Sequence, residues 1–537
     1  VRCAEDGDTR LTCDEDGRWV VQAVCSEAQP GDVCENGACI KLCELNKKLN
    51  SYFGCEYWAL DLDNAFVPGG PTGFYDAAGA PFAVVVGNPN EKFAVDVKIY
   101  TVEAGVEQRV TVDHFGNPLD DSPIAPSSLR IYRLPRRDVE GTVKGFLSYR
   151  VEASIPILAY QFNPLDNTSP VFSNDASLLL PTDVLGRTYI VMTREQTFAN
   201  LRGFVTVVAP FDNTEVALTV TAPTLSMNGF PPLQPGQTVR VNLARGEVFS
   251  VQSDAPGADL TGTVVQANRV VAVFGGSEAS NAPNTARCLP EGVCEWDRKT
   301  ACADLLDCVD AGFNTCCADH LEQQMFPVRS WGQRYIATQS KERGKAKDIW
   351  RILAAEDGTQ VDTVPKQASI PVLDKGEWFE FESSEHFVID SKKPILVGQF
   401  LAAEDAPDPN LPGVDTAGDA GIGDPGFILA VPLEQYREEY VVLVPEGYGF
   451  DYVNITAPAG AAVWLDGEEL DPSVFEPITA DYVVARLALE DGERRIRASA
   501  PVGVVMYGFD SYVSYGYPGG LDLEDLGLIK EPPVAAP

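Results

Sequence analysis

This 537-residue chain has little of what builds helices or metal centres. No stretch of about 18 apolar residues occurs, which excludes a helical membrane span. Segments with a 3.6-residue apolar period are nearly absent; only Cys302–Cys308 and Ala318–Gln324 read as short helical turns. Three histidines (His114, His320, His386) and no C-x-x-C pair argue against structural zinc. The Walker loop, H-E-x-x-H and G-x-S-x-G are missing too, and with them the enzyme classes those motifs serve. Basic residues are scarce: 41 Lys and Arg stand against 78 Asp and Glu, a formal net charge of -37. Such a surface repels nucleic acid and anionic lipid and favours cations or basic partners.

What is present is cysteine, and it is clustered. Seven of the 13 cysteines lie between Cys3 and Cys55: Cys3, Cys13, Cys25, Cys34, Cys39, Cys43 and Cys55. The other six are Cys288, Cys294, Cys302, Cys308, Cys316 and Cys317. Close cysteines in loop-rich segments read as a disulfide framework, which persists in an oxidising compartment outside the cytosol. Thirteen is odd, so the first cluster has one left over. With Val1 read as a processing boundary, an eighth cysteine is expected upstream; the alternative is a free or intermolecular thiol. Residues 1–55 are too short and too polar for a core of their own and read as a disulfide-held stalk module.

From residue 56 the texture is all-β. Short β-branched and aromatic runs recur, among them Phe82–Val86, Val95–Tyr100, Leu129–Leu134, Phe204–Val208, Val216–Val220, Trp378–Phe381, Val441–Val444 and Val502–Met506. Four landmarks repeat in order. The first is a Pro or Val opening an apolar run, at Pro156, Val270, Pro394 and Pro501, in steps of 114, 124 and 107 residues. The second is a Pro followed eight positions later by Tyr: Pro181 and Tyr189, Pro327 and Tyr335, Pro432 and Tyr440. The third runs from Asp212 to Val216 and from Asp357 to Val361; the fourth is Gly246–Phe249 and Gly376–Phe379.

Each repeat reads as two groups of four strands, with half a group at either end. Joining the halves closes a ring and removes exposed sheet edges. The expectation is a β-propeller of about eight blades, closed by pairing 501–507 with 57–62; the alternative is tandem β-sandwich domains. The repeated body spans 56–525, with insertions at about 283–320 and 403–426, and residues 526–537 form a C-terminal tail.

At this point several motifs converge: Gly54-Cys-Glu-Tyr-Trp-Ala-Leu-Asp-Leu-Asp-Asn64, Ser173-Asn-Asp-Ala-Ser-Leu-Leu-Leu-Pro181 and Cys316-Cys-Ala-Asp-His-Leu-Glu-Gln-Gln324. With Trp331–Tyr335 and Ser514–Gly520, they resemble the IgGFc-binding protein N-terminal domain family, especially its bacterial members, over residues 50–525. The resemblance implies an extracellular, non-enzymatic protein of surface attachment or matrix. It transfers no binding residues, and the antibody ligand of the animal members is not carried over.

The candidate sites are few. Asp61 and Asp63, two apart at a strand end, share a face, and paired hard oxygens can bind calcium, the one cofactor considered; a polar strand face explains them equally. Asp405, Asp408, Asn410, Asp415, Asp419 and Asp424 crowd one loop without EF-hand order. Tyr512, Tyr515 and Tyr517, with Tyr507 and Phe509, read as an exposed interface patch or as filling of the closing blade. His320 reads as packing a turn rather than serving a cysteine nucleophile. Asn167 and Asn454 head glycosylation sequons, relevant only in a eukaryotic host. The functional expectation is an extracellular adhesion or binding protein, not an enzyme, whose partner is an extracellular protein, a glycan or copies of itself. The alternatives are a structural subunit of a fibre or sheath and, further off, a glycan-active propeller enzyme.

Overall fold

The structure, a computed structural model, describes the chain apart from residues 1, 5–8, 14–17, 29–31, 70–72, 104, 166–172, 284–287, 290, 295–298, 304, 312–317, 344–345, 405–421, 511 and 530–537. Strands dominate, and among the described residues no helix is long and apolar enough to cross a membrane.

The second repeat shows the plan. One long strand, Val264–Ser280, bends and serves two sheets. Its first half pairs with Gly186–Ile190 and Thr214–Thr219, its second half with Gly203–Val208 and Asp319–Gln324. The remaining strands extend the two sheets: Thr238–Leu243 pairs with Thr214–Thr219, and Val248–Gln252 with Gly203–Val208. The two sheets therefore curl about the shared strand as a half-barrel. The first repeat does the same around Ser148–Asn163, and the fourth around Gly492–Asp510. In the third repeat the long strand is interrupted, Phe387–Ser391 serving one sheet and Ile395–Leu401 the other.

The first sequence landmark marks these bends. Register breaks between Glu152 and Ile157, between Gln266 and Val271, and between Arg497 and Val502, bracketing Pro156, Val270 and Pro501. Pro394 fills the gap between the two pieces of the third. Proline cannot donate a ladder hydrogen bond, so it is tolerated where a strand leaves one sheet for the other. The second landmark locks the same corner. Its Tyr189, Tyr335 and Tyr440, and Tyr57 in the same place of the first repeat, each donate their phenol to the carbonyl of the residue just after the bend: Val271 at 2.8 Å, Ile395 at 2.5 Å, Val502 at 2.6 Å and, for Tyr57, Ile157 at 2.6 Å. The prolines of that landmark open 3-10 turns at Thr182–Val184, Val328–Ser330 and Leu433–Gln435, which pass the chain from one repeat to the next.

Each repeat ends in a short strand: Asp175–Leu178, Asp319–Gln324, Gly426–Leu429 and Val513–Pro518. These four meet around the middle of the molecule, each packed on the next and the fourth on the first, and are called axial strands below. They are buried on both faces. Backbones come so close here that a Cβ on Gly276 would sit 1.9 Å from the Leu321 carbonyl oxygen, so only glycine fits. Aromatic rings fill the seam between last and first repeats, Tyr517 on Tyr160 with centroids 4.7 Å apart. Beyond the axial strands, Ser51 bridges Asp522 and the Leu523 amide donates to the Asn50 carbonyl at 2.7 Å. A contiguous apolar cluster runs from Tyr52 to Leu523.

Several expectations need correction. The body's ends do meet, but not through a shared blade: 501–507 pairs within its own repeat, and Gly54–Leu60 pairs with Ser148–Asn163. Each repeat is complete, because the runs taken as two strands on either side of Val270 are one bent strand. The strands at 204–208, 216–220, 239–243 and 248–251 divide between two sheets rather than forming one blade. Asp319–Gln324, within the expected helical turn, forms an axial strand, since burial on both faces overrides the helix preference of Leu, Glu and Gln. In the second cysteine cluster, Leu305–Asp310 is helical.

The N-terminal module consists of a three-stranded sheet (Arg2–Cys3, Thr9–Cys13, Trp19–Val24) and the hairpin Asp32–Glu35/Ala38–Lys41. Asn36 and Gly37 take positive φ at the hairpin tip, as a two-residue turn demands. Cys3–Cys34 and Cys25–Cys39 staple it, and Cys43–Cys55 ties it to the body's first strand. Cys13, counted with the disulfide cysteines, is instead the odd one: its thiol is exposed and unpaired, the other six having paired among themselves. Cys288–Cys302 and Cys294–Cys308 hold the insertion in the second repeat; Cys316 and Cys317 lie outside the described residues.

Candidate binding site

Among the described residues, those just ahead of the axial strands come together at one end of the ring. Ser173, Ala318, Asp424 and Tyr512 stand just ahead of the four axial strands, and all four line one cavity of about 630 Å³. The rest of its wall is mainly apolar: Ala65, Val67, Tyr75, Phe198, Leu201 and Ala279 take part. Two of the four connections are the long insertions noted in the sequence, the stapled segment after Ser280 and the acidic loop after Leu401.

Beneath the mouth lies a buried polar layer. Asp175 accepts from the amides of Ala176, Glu322 and Phe427, and Asp319 from those of Asn174 and His320. Burial raises both carboxyls well above the usual range, with the neighbouring Asp424 adding to the rise at Asp319. His320 belongs to this layer rather than to a turn. It is fully buried on its strand, stacks on Phe204, and its Nε2 lies 3.2 Å from Glu322. Burial lowers its pKa to about 3 and raises that of Glu322 well above normal. His320 lines neither the mouth nor the pocket beside it.

That second pocket, of about 430 Å³, adjoins the first and shares Asn200 and Leu201 with it. It is acidic: Asp63, Asp76, Asp138, Glu140 and Glu278 line it with Arg136 and Arg202. The Gln252 amide bridges two of them, at 2.6 Å from Asp63 and 3.0 Å from Glu278. Burial, with the charges of Glu140 and Asp138, pushes Asp63 up to about 6; burial, with the charge of Asp63, pushes Glu278 up to about 9.

Asp61 and Asp63 thus have different surroundings. Asp61 is buried, holds the Arg137 amide at 2.8 Å, and is raised by burial and by Asp138. Asp63 takes the Gly141 amide at 3.0 Å and opens on the acidic pocket. Both carboxylates pin the loop at 137–141. Among the described residues, the grouping of three ligand atoms within 4.8 Å of one another is Cys288, Cys302 and Cys308, whose sulfurs are spent in disulfides. Of the acidic loop, Asp405, Asp408, Asn410, Asp415 and Asp419 lie outside the described residues, while Asp424 is buried at the mouth.

The aromatic patch is not one surface. Tyr515, Tyr517, Tyr507 and Phe509 are buried because the last axial strand and its partner run through the core. Tyr512 alone stays exposed, at 39%, and lines the mouth. Asn454 is buried, its amide spent on Thr338 and Gln339, so it offers no sugar acceptor; Asn167 lies outside the described residues. Phe198, Asn200, Leu201, Gln252 and Glu278 escaped sequence reasoning, since they come together only when the long strand bends.

The family model described as IgGFc binding protein matches residues 175–508. That span opens on the first axial strand and ends in the long strand of the fourth repeat. No curated protein matches the chain.

Proposed function

We propose, from the premise that the chain belongs to the IgGFc-binding protein family, that it is an extracellular binding protein that grips a protein partner at the ring mouth. The observation that carries this is the convergence of Ser173, Ala318, Asp424 and Tyr512, one residue from just ahead of each axial strand, on one mainly apolar cavity. Concave apolar sites with a few fixed polar groups are where ligands bind, and loops on a rigid scaffold are the usual place for them. The five disulfides among the described residues suit an oxidising, extracellular setting. The reading has no catalytic step: the buried polar layer, its carboxyls raised by burial and Asp175 and Asp319 holding backbone amides, acts as scaffold.

The test is surface plasmon resonance against immobilised IgG Fc as the probe suggested by the family. Binding by the wild type and its loss in Leu201→Asp support the mouth; equal binding by both would move the site elsewhere. A wild type that ignores Fc removes Fc as partner. A second reading, self-association into a fibre, is favoured by one feature. The edge strand Trp19–Val24 exposes Trp19, Val20 and Val21 beside the free Cys13. Concentration-dependent light scattering, abolished by Val21→Lys, would support that reading over the first.

A further inference from the structure

We propose that the mouth recognises a chain segment carrying a large apolar side chain and, close by, a lysine or arginine, the first seated in the apolar cavity and the second in the acidic pocket. This rests on the reading of the mouth as a binding site and specifies the chemistry of what enters.

The two pockets are not neighbours by accident of surface shape. The hairpin Phe66–Pro68/Phe74–Asp76 separates them. Its cross-strand pair Val67 and Tyr75 lines the apolar cavity, and the adjacent pair Phe66 and Asp76 lines the acidic pocket. Successive residues of a strand point to opposite faces, so one hairpin presents an apolar face to one side and a mixed face to the other. A ligand that fills both pockets has to cross the thickness of that hairpin, a span of two or three residues in an extended chain. The Phe66 and Phe74 rings, stacked with centroids 4.6 Å apart and exposed at 54% and 44%, form the ridge it crosses.

Charge decides what the second pocket takes. Asp63, Asp76, Asp138 and Glu140, with the protonated Glu278 beside them, face two guanidiniums, and both guanidiniums are engaged: Arg136 with Asp138, Arg202 with Asp254 at 3.1 Å and the Ser253 carbonyl at 2.8 Å. A cleft lined by one sign of charge concentrates the opposite sign, and a whole chain at -37 reinforces the field. An incoming ammonium or guanidinium pairs with Asp63 and favours ionisation of Glu278 beside it, the two carboxyls being bridged by the Gln252 amide. An acidic segment would be repelled by the same carboxylates.

The experiment is fluorescence anisotropy on the full chain with three labelled hexapeptides, Ser-Gly-Phe-Gly-Arg-Gly, the same with Glu for Arg, and the same with Ala for Phe. The Arg peptide is expected to bind about tenfold tighter than either of the others at low salt. Glu140→Lys, a change at an exposed side chain, should erase the preference of Arg over Glu while keeping that of Phe over Ala. Leu201→Asp should abolish binding of all three. If the Glu peptide binds as well as the Arg peptide, or Glu140→Lys changes nothing, the basic-segment assignment is overturned while an apolar mouth stands. If no peptide binds, or Leu201→Asp binds as the wild type does, the mouth itself is excluded.

Discussion

The side-chain amide nitrogen of Gln323 lies 3.0 Å from the main-chain carbonyl of Gly516, 193 residues further along the chain. The same nitrogen stands 2.6 Å from the Phe427 carbonyl and 2.8 Å from that of Ala176. One glutamine on the second axial strand therefore touches the axial strands of the other three repeats. An amide has two hydrogens, so three acceptors share them.

Gln323→Met keeps the volume and removes both donors. Buried carbonyls left without partners cost about 1–3 kcal/mol each, so a loss of about 2–4 kcal/mol is expected. Chemical denaturation of the full chain reads it. A variant as stable as the wild type would mean the axial strands are held by packing alone.

Removing a corner phenol should act locally and alike in each repeat. Tyr189→Phe, Tyr335→Phe and Tyr440→Phe each leave one buried carbonyl unpaired, at about 1–3 kcal/mol. Hydrogen exchange should show the loss concentrated around Val271, Ile395 or Val502, according to the variant. Uniform effects across the chain would sink the idea of a corner lock.

Arg194 and Arg351, both fully buried, share Glu380 as partner; the Arg194–Glu380 pair and the pair of Arg351 with Asp259 cross the boundary between the second and third repeats. Glu380→Ala strips the shared partner from two buried cations. Breaking a buried pair on one side costs about 3–5 kcal/mol. The double variant Glu380→Ala, Arg194→Met should recover part of the loss in the same denaturation assay.

Stability should also fall as pH rises through the range in which Glu278 ionises. Its carboxyl is held at about 9 in the fold against about 4.3 when unfolded. A raised acid favours the protonated form in the native state, so the native state binds more protons than the unfolded one between those values, and stability drops with pH there. Glu278→Gln removes the titration while keeping an acceptor for Gln252. The variant should gain on the wild type from pH 5 to 8 and match it near pH 4. A constant difference over that range would assign the effect to packing.

The repeat was legible from residues whose role is backbone geometry. Pro156, Val270, Pro394 and Pro501 stand out because a strand that changes sheets needs a residue that can leave the ladder. The tyrosines eight positions after a proline stand out because each carbonyl freed at a bend needs a donor. Sheet membership was not legible, because a strand bent in the middle looks like two strands with a turn between them. That misreading produced the half-repeats and the shared blade. Burial on both faces was equally hidden at His320–Gln324, whose polar residues satisfy one another across the axis. Of the site, Asp63 could be found from its place at a strand end, whereas Leu201 and Glu278 carry no local signal. The better sequence clue was that both insertions fall in the same connection of successive repeats, and the residues that follow them, Ala318 and Asp424, line one cavity.

The reach of Gln323 also limits how such a molecule can change over time. A stack of repeats can lengthen by copying another unit at its end, since each unit meets only its neighbours. Here the carbonyl of a fifth copy would find no Gln323 hydrogen left at the hub and no gap between Asn50 and Leu523. Novelty is thereby channelled into the segments before the axial strands, where added residues alter what the protein touches and leave its frame as it was.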